Sequence, residues 1–122
     1  MKKLVAIPVD QVGILDAHFG HCKFFALVKV ENGEIVSEEK IIPPPHEPGL
    51  LPRWLSEKGA TDIIAGGMGQ KAILLFNQSG VNVFVGAPRM NAKELTLGLL
   101  NNTLSFTANY CNHDHHGNCE NH

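Results

Sequence analysis

Residues 62–85 read DIIAGGMGQKAILLFNQSGVNVFV, and this stretch decides the fold. Asp62–Ala65 is a short apolar run halted by Gly66, which marks it as a buried strand. Gln70–Ser79 sets Ile73 and Phe76 at helical spacing and stops at Gly80, a residue suited to the left-handed backbone that closes many helices. Val81–Val85 is a second apolar, β-branched strand. A strand, a helix and a strand in so short a span form a βαβ unit, so the two strands run parallel with a right-handed crossover.

On the C-terminal side, Asn91 caps a last helix with Glu94 at the capping-box position and Leu95, Leu99 and Leu100 along it. After Leu104 the periodicity fades. On the N-terminal side, Leu50–Lys58 carries Leu51, Trp54 and Leu55 as a helix face and ends at Gly59. The preceding Pro43-Pro44-Pro45-His46-Glu47-Pro48-Gly49 cannot continue a central strand and makes a stiff connection. Phe24–Val30 and Glu34–Ile42 flank Asn32-Gly33, the dipeptide favoured in type I′ hairpin turns because both central residues need positive φ. Lys3–Val9 is a buried strand ended by Asp10. The whole is an α/β chain: a hairpin-bearing first half and a parallel second half sharing one mixed sheet flanked by helices.

The chain has 122 residues, which suits one domain. A hydrophobic fraction of 43% and a charged fraction of 18% are those of a globular protein. A net charge of −2 excludes a general phosphate-backbone binder, so no nucleic-acid partner is expected. The apolar run Leu4–Val9 after Met1-Lys2-Lys3 is too short for a secretory h-region or a membrane span, and a cytoplasmic location is expected. Three cysteines are too few and too unevenly placed for a secreted disulfide scaffold.

Chemistry is concentrated in three places. The first is the tail, where Cys111, His113, His115, His116, Cys119 and His122 supply soft ligands within a dozen residues. Their spacing matches no standard zinc finger, and the alternative is a solvated tail that picks up zinc or another divalent metal. The second is the loop His18-Phe19-Gly20-His21-Cys22. Either His18, His21 and Cys22 converge on a metal, or Cys22 is a thiolate activated by an imidazole, or Phe19 plugs the core while the histidines face water. The third is Gly66-Gly67-Met68-Gly69, at a strand-to-helix turn where exposed N–H groups attract anions. It is neither a dinucleotide fingerprint nor a phosphate loop. Either it is a tight turn requiring small residues, or it faces the His18–Cys22 loop across one sheet edge, with Met68 as an apolar wall.

Taken in order, the I-P-V-D of the first strand, the H-F-G-H-C loop followed by Phe24-Phe25, the E-N-G-E hairpin, L-P-x-W-L, D-I-I-A-G-G-M-G and V-x-V-x-x-G-A resemble the dinitrogenase iron–molybdenum cofactor biosynthesis family. This is the small NifX/NafY/NifB C-terminal-like domain, and the resemblance covers residues 1 to about 104. It implies a ribonuclease H-like fold with a five-stranded mixed sheet whose second strand is antiparallel to the rest. It further implies a binder or carrier of metal–sulfur clusters, including cofactor precursors and, in a relative, a molybdenum–copper–sulfur cluster. The histidine of the family's H-F-G motif corresponds to His18, while His21 and Cys22 stand where many members have Arg and Ala. The nucleases of the fold hold two metal ions on convergent carboxylates. Here Asp10 ends its strand, but Asp62 begins its own and should lie at the opposite sheet edge.

The expectation is therefore a non-enzymatic binding protein. Residues 1–108 form the domain, and residues 109–122 a flexible Cys/His-rich tail for metal capture. A metal–sulfur cluster containing iron, molybdenum or both would be held by His18, Phe19, Gly20, His21, Cys22, Gly66, Gly67, Met68 and Gly69. Partners would be a cluster donor or acceptor protein, with the chain a monomer or weak homo-oligomer. The alternative is a thiol- or metal-responsive sensor module without a cluster.

Overall fold

The computed structural model describes residues 2–16, 23–44, 50–101, 103 and, for the backbone alone, 108–110. The elements follow in the order β1 (Lys2–Val9), β2 (Phe24–Glu31), β3 (Glu34–Ile41), α1 (Leu50–Glu57), β4 (Asp62–Ala65), α2 (Gln70–Gln78), β5 (Asn82–Val85), α3 (Ala92–Asn101) and β6 (Ala108–Tyr110). They build one sheet in the order β3-β2-β1-β4-β5-β6.

Strand directions follow from the connections. Asn32 at φ 55° and Gly33 at φ 82° close a tight hairpin, so β2 and β3 pair antiparallel. β1 pairs antiparallel with β2 over its full length, with Lys2 opposite Glu31 and Val9 opposite Phe24. β1–β4 and β4–β5 are parallel, the second bridged by α2. The five long-expected strands thus form a mixed sheet with β2 alone reversed, as the ribonuclease H-like reading requires. The short β6 adds a sixth strand, antiparallel to β5, at that edge. Ala-Asn-Tyr is only three residues long, too short for its alternation to count as a strand signal. β6 also crosses residue 108, where composition places the change from domain to tail.

The sheet is covered on both faces, and β1 accordingly reads as a near-continuous apolar run. Successive side chains alternate between faces. Ala6 joins Phe25, Leu27, Ile63 and Val83 beneath Leu51 and Leu55 of α1 and Ile73 and Phe76 of α2. Val5, Ile7 and Val9 join Ala26, Val28, Val30 and Ile64 beneath Ala92 and Leu95 of α3. The N–H of Glu94 donates to Asn91 Oδ1 at 2.8 Å, giving α3 the side-chain cap its sequence announces. At the other edge, β3 is largely exposed and carries Glu34, Glu38, Glu39 and Lys40, charges that discourage further strand pairing. No helix among the described residues is long and apolar enough to cross a membrane.

Candidate functional site at the carboxyl edge of the sheet

Parallel strands deliver their following loops to one edge, and here three loops meet. After Val9 the chain turns on Asp10. The N–H of Asp10 donates to the Ile14 carbonyl at 2.9 Å, and that of Gly13, at φ +88°, to the Asp10 carbonyl at 3.0 Å. Asp10 Oδ1 accepts the N–H groups of Val12 and Ile14, both at 3.0 Å. The Asp16 N–H then donates to the Pro8 carbonyl at 2.9 Å, so the chain leaves the turn beside the end of β1. It re-enters at Lys23, next to Phe24, which pairs with Val9. Both ends of the segment 17–22 are thereby fixed at this edge.

The loops after β4 and β5 are tied to the same place. Continuing the register of Val5 with Asp62 brings Val9 level with Gly66. The N–H of Gly86 donates to the Gly66 carbonyl at 3.1 Å and that of Ala87 to the Ala65 carbonyl at 3.2 Å. The N–H of Leu15 donates to the Met90 carbonyl at 3.0 Å, and Ile14 bridges to Asn91. An open cavity of about 310 Å³ lies over the first loop, lined by Asp10, Gln11, Val12, Asp16 and Lys23.

The glycine turn differs from a merely compact one. The left-handed glycines are Gly13, Gly33, Gly59, Gly80 and Gly86, and neither Gly66, Gly67 nor Gly69 is among them. A Cβ built on Gly67 or Gly69 meets no atom of the described residues within 4 Å. Among the described residues, neither backbone conformation nor packing therefore demands glycine at 67 and 69. Gly69 caps α2 without a side chain, so the N–H groups of Gln70, Lys71 and Ala72 open the helix with no intrahelical acceptor. Met68 is half-buried, and from the turn it packs against the core under α1 and α2.

Among the candidate ligands, His18, Phe19, Gly20, His21 and Cys22 lie outside the described residues. So do Cys111, His113, His115, His116, Cys119 and His122. The described residues contain neither Cys nor His, and no group of three acidic side chains among them is placed to hold a metal ion. Asp62 lies at the opposite edge, as its position at the start of β4 implies. It is 1% exposed, accepts the Thr61 hydroxyl at 2.7 Å and the Asn82 amide at 3.4 Å, and stands 3.7 Å from Lys3 Nζ. Asp10 and Asp62 therefore do not converge.

The cations of the carboxyl edge were not singled out by motif. Arg89 Nη2 stands 3.6 Å from Asp10 Oδ2, and Lys23 lines the cavity. Lys40 reaches from β3 to the Gln11 carbonyl at 3.2 Å, with its ammonium 5.0 Å from the Phe24 ring centroid. The only sequence signal for Arg89 is its place just after a strand of the parallel half.

The Ile14 N–H holds the Asp10 carboxyl below its ordinary value of 3.8; the Val12 N–H, Arg89 and the Gly13 N–H add to this, against partial desolvation. A carboxyl lowered in the folded state stabilises the fold fully above its unfolded value, and that contribution fades as pH falls through the folded one. An amide-detected NMR titration should show the Val12 and Ile14 N–H resonances moving together at a midpoint below 3.8. That titration should vanish in Asp10→Asn, and a midpoint at or above the ordinary value would contradict the hydrogen-bonded turn.

Comparison with known proteins agrees with this architecture. The chain is 34% identical over 86 residues to the uncharacterized protein MJ0580 of Methanocaldococcus jannaschii, covering 66% of this chain and 71% of that one. The crystal structure of PH0822 superposes with a TM-score of 0.77 at 28% identity, covering 88% of this chain and 95% of the other. The apo form of the orange protein from Desulfovibrio gigas superposes with a TM-score of 0.73, over 88% of this chain and 95% of that one. At 18% identity that second likeness is one of fold. The profile of the family described as dinitrogenase iron-molybdenum cofactor matches residues 1–102, and the chain belongs to that family.

Proposed function

We propose that this protein binds and carries a metal–sulfur cluster, of the iron- or iron–molybdenum-containing class, at the carboxyl edge of β1 and β4. One observation carries the reading. The residues that flank the segment holding His18, His21 and Cys22 are fixed beside a glycine turn whose positions 67 and 69 neither φ nor packing among the described residues explains. Imidazole and thiolate are ligands suited to iron–sulfur and other soft centres. Glycine admits close approach of backbone to a ligand, and N–H groups at a helix start favour the negative charge of bridging sulfides. Lys23 and Arg89 stand at the same edge, where Asp10 and Asp16 balance their charge. Family membership supports the cofactor class, and the role is that of a carrier passing its cargo between a donor and an acceptor protein. The Cys/His tail serves metal capture.

The test is anaerobic reconstitution with iron, molybdate and sulfide, followed by metal and acid-labile sulfide analysis and an absorption spectrum. Full-length protein is compared with a chain ended after Tyr110, which keeps β6 whole. Equal acid-labile sulfide and equal cluster absorption in both forms is the expected result, with the extra metal of the full-length form held by the tail. Loss on truncation would move the function to the tail, and cluster in neither form would overturn the carrier reading.

A further inference from the structure

Towards the amino edge of the sheet, away from the proposed cargo site, an open cavity of about 490 Å³ is lined by the start of β1, by parts of β2 and β3, and by the connection between α1 and β4. Its size is that of a small-molecule site. Lys2, Lys3, Lys29 and Lys58 surround it, with Leu4 and Leu27 as the apolar part and Glu39 as the one acid lining it. Four of the chain's ten basic residues thus gather at one cavity of a protein whose net charge is −2.

These lysines are not equivalent. Lys3 is committed to Asp62 at 3.7 Å. Among the described residues Lys2, Lys29 and Lys58 have no ion-pair partner, which leaves an excess of two positive charges over Glu39. Lys58 is held rather than trailing in solvent, its ammonium 5.6 Å from the centroid of the Trp54 ring. Thr61 is spent within the protein, its hydroxyl oxygen accepting the Leu4 N–H at 3.0 Å and lying 2.7 Å from Asp62 Oδ1. The Ser37 hydroxyl is the other side-chain donor of the lining.

We propose that this cavity is a second binding site, for a phosphate-bearing small molecule with a short apolar part. Convergent like charges in a cleft focus the field on a multivalent anion. The choice of phosphate over carboxylate rests on the lining. The arginine fork serves carboxylate and phosphate alike, and neither Arg53 nor Arg89 is among the described lining residues. Charge therefore decides: one phosphate group carries up to about two charges where a carboxylate carries one. Lysines act as point charges and suit a compact, multiply charged group. Leu4 and Leu27 give the rest of such a ligand an apolar surface.

Amide-detected NMR titration of the full-length protein with pyrophosphate, and with citrate as the carboxylate comparison, tests this. Pyrophosphate should bind saturably with a Kd below about 1 mM at about 0.15 M salt. Its shifts should centre on Lys2, Lys29, Lys58 and Gly59, and citrate should bind several-fold more weakly. Lys29→Ala with Lys58→Ala should weaken pyrophosphate by about tenfold or more. Lys29→Gln alone, which leaves Lys58 on Trp54, should give a smaller loss of the same kind. Shifts that stay linear to about 10 mM, or are unchanged in both variants, would overturn the site as loose ion pairing. Shifts centred on Lys23, Arg89 or the Gly66–Gly69 turn would overturn it by moving the anion to the other edge, and stronger binding of citrate would overturn its phosphate class.

Discussion

A variant carrying His18→Ala and Cys22→Ala should return from anaerobic reconstitution with cluster iron and sulfide near background. Replacing even a residue that only supports a metal ligand costs about 10–100-fold in affinity, so removing two ligands should cost at least about 100-fold. Metal and sulfide per protein, with the charge-transfer absorption of the cluster, provide the measurement, and far-ultraviolet circular dichroism shows whether the sheet is kept. Undiminished loading would remove the 17–22 segment from the proposal. Gly67→Leu provides the complementary arm. A Cβ there meets no atom of the described residues within 4 Å and the backbone is not left-handed, so stability should change by less than about 0.5 kcal/mol. Cargo loading should nevertheless fall, because at the proposed site the leucine takes space that the cluster needs. A fully loaded Gly67→Leu protein would show that the turn stands clear of the cargo.

Phe25→Ala should lower the stability of the domain by about 3–5 kcal/mol. Phe25 is 0% exposed on β2, packs in the core under α1 and α2, and meets the Trp54 ring edge-on at 6.1 Å between centroids. The loss combines the transfer energy of a large side chain, the cavity left behind and an aromatic pair. Against a net stability of roughly 5–15 kcal/mol for a domain, this is a large fraction. At about 4 °C per kcal/mol, the thermal midpoint should drop by some 12–20 °C. Val36→Ala on the exposed strand β3, where Val36 is 52% exposed, is the control and should stay within about 0.5 kcal/mol. Because Phe25 follows Phe24, the damage also reaches the anchor at which the 17–22 segment rejoins the sheet.

The architecture was legible wherever local physics is strong. Gly59 at φ +95° and Gly80 at φ +84° end α1 and α2 where glycine punctuation predicts, and Asn32-Gly33 sets the hairpin. Asp10 and Asp62 could be assigned to opposite edges from their positions in two parallel strands alone. β6 was not legible, since three residues are too few for alternation to count as a strand signal, and the segment pairs along the edge that β5 offers. The side-chain contacts of the site were equally hidden. Nothing in the sequence ties Arg89 to Asp10, because such pairings depend on how distant loops fold over one edge. Met68 shows a further limit: nothing in the motif signals that its side chain packs against the core under α1 and α2.

The hydrogen bonds Gly86 N–H to Gly66, Ala87 N–H to Ala65 and Leu15 N–H to Met90 make the three loops links of one hoop around the rim. The Gly66–Gly69 turn, the Gly86–Asn91 stretch and the Asp10 turn therefore cannot be displaced independently. A load placed on the glycines is passed through the backbone to the Asp10 turn and so to Asp16, where the segment bearing His18 and Cys22 begins. On the proposed carrier reading, a protein that grips the Gly86–Asn91 stretch also holds the Asp10 turn and the glycine turn, the two flanks of the proposed cargo site.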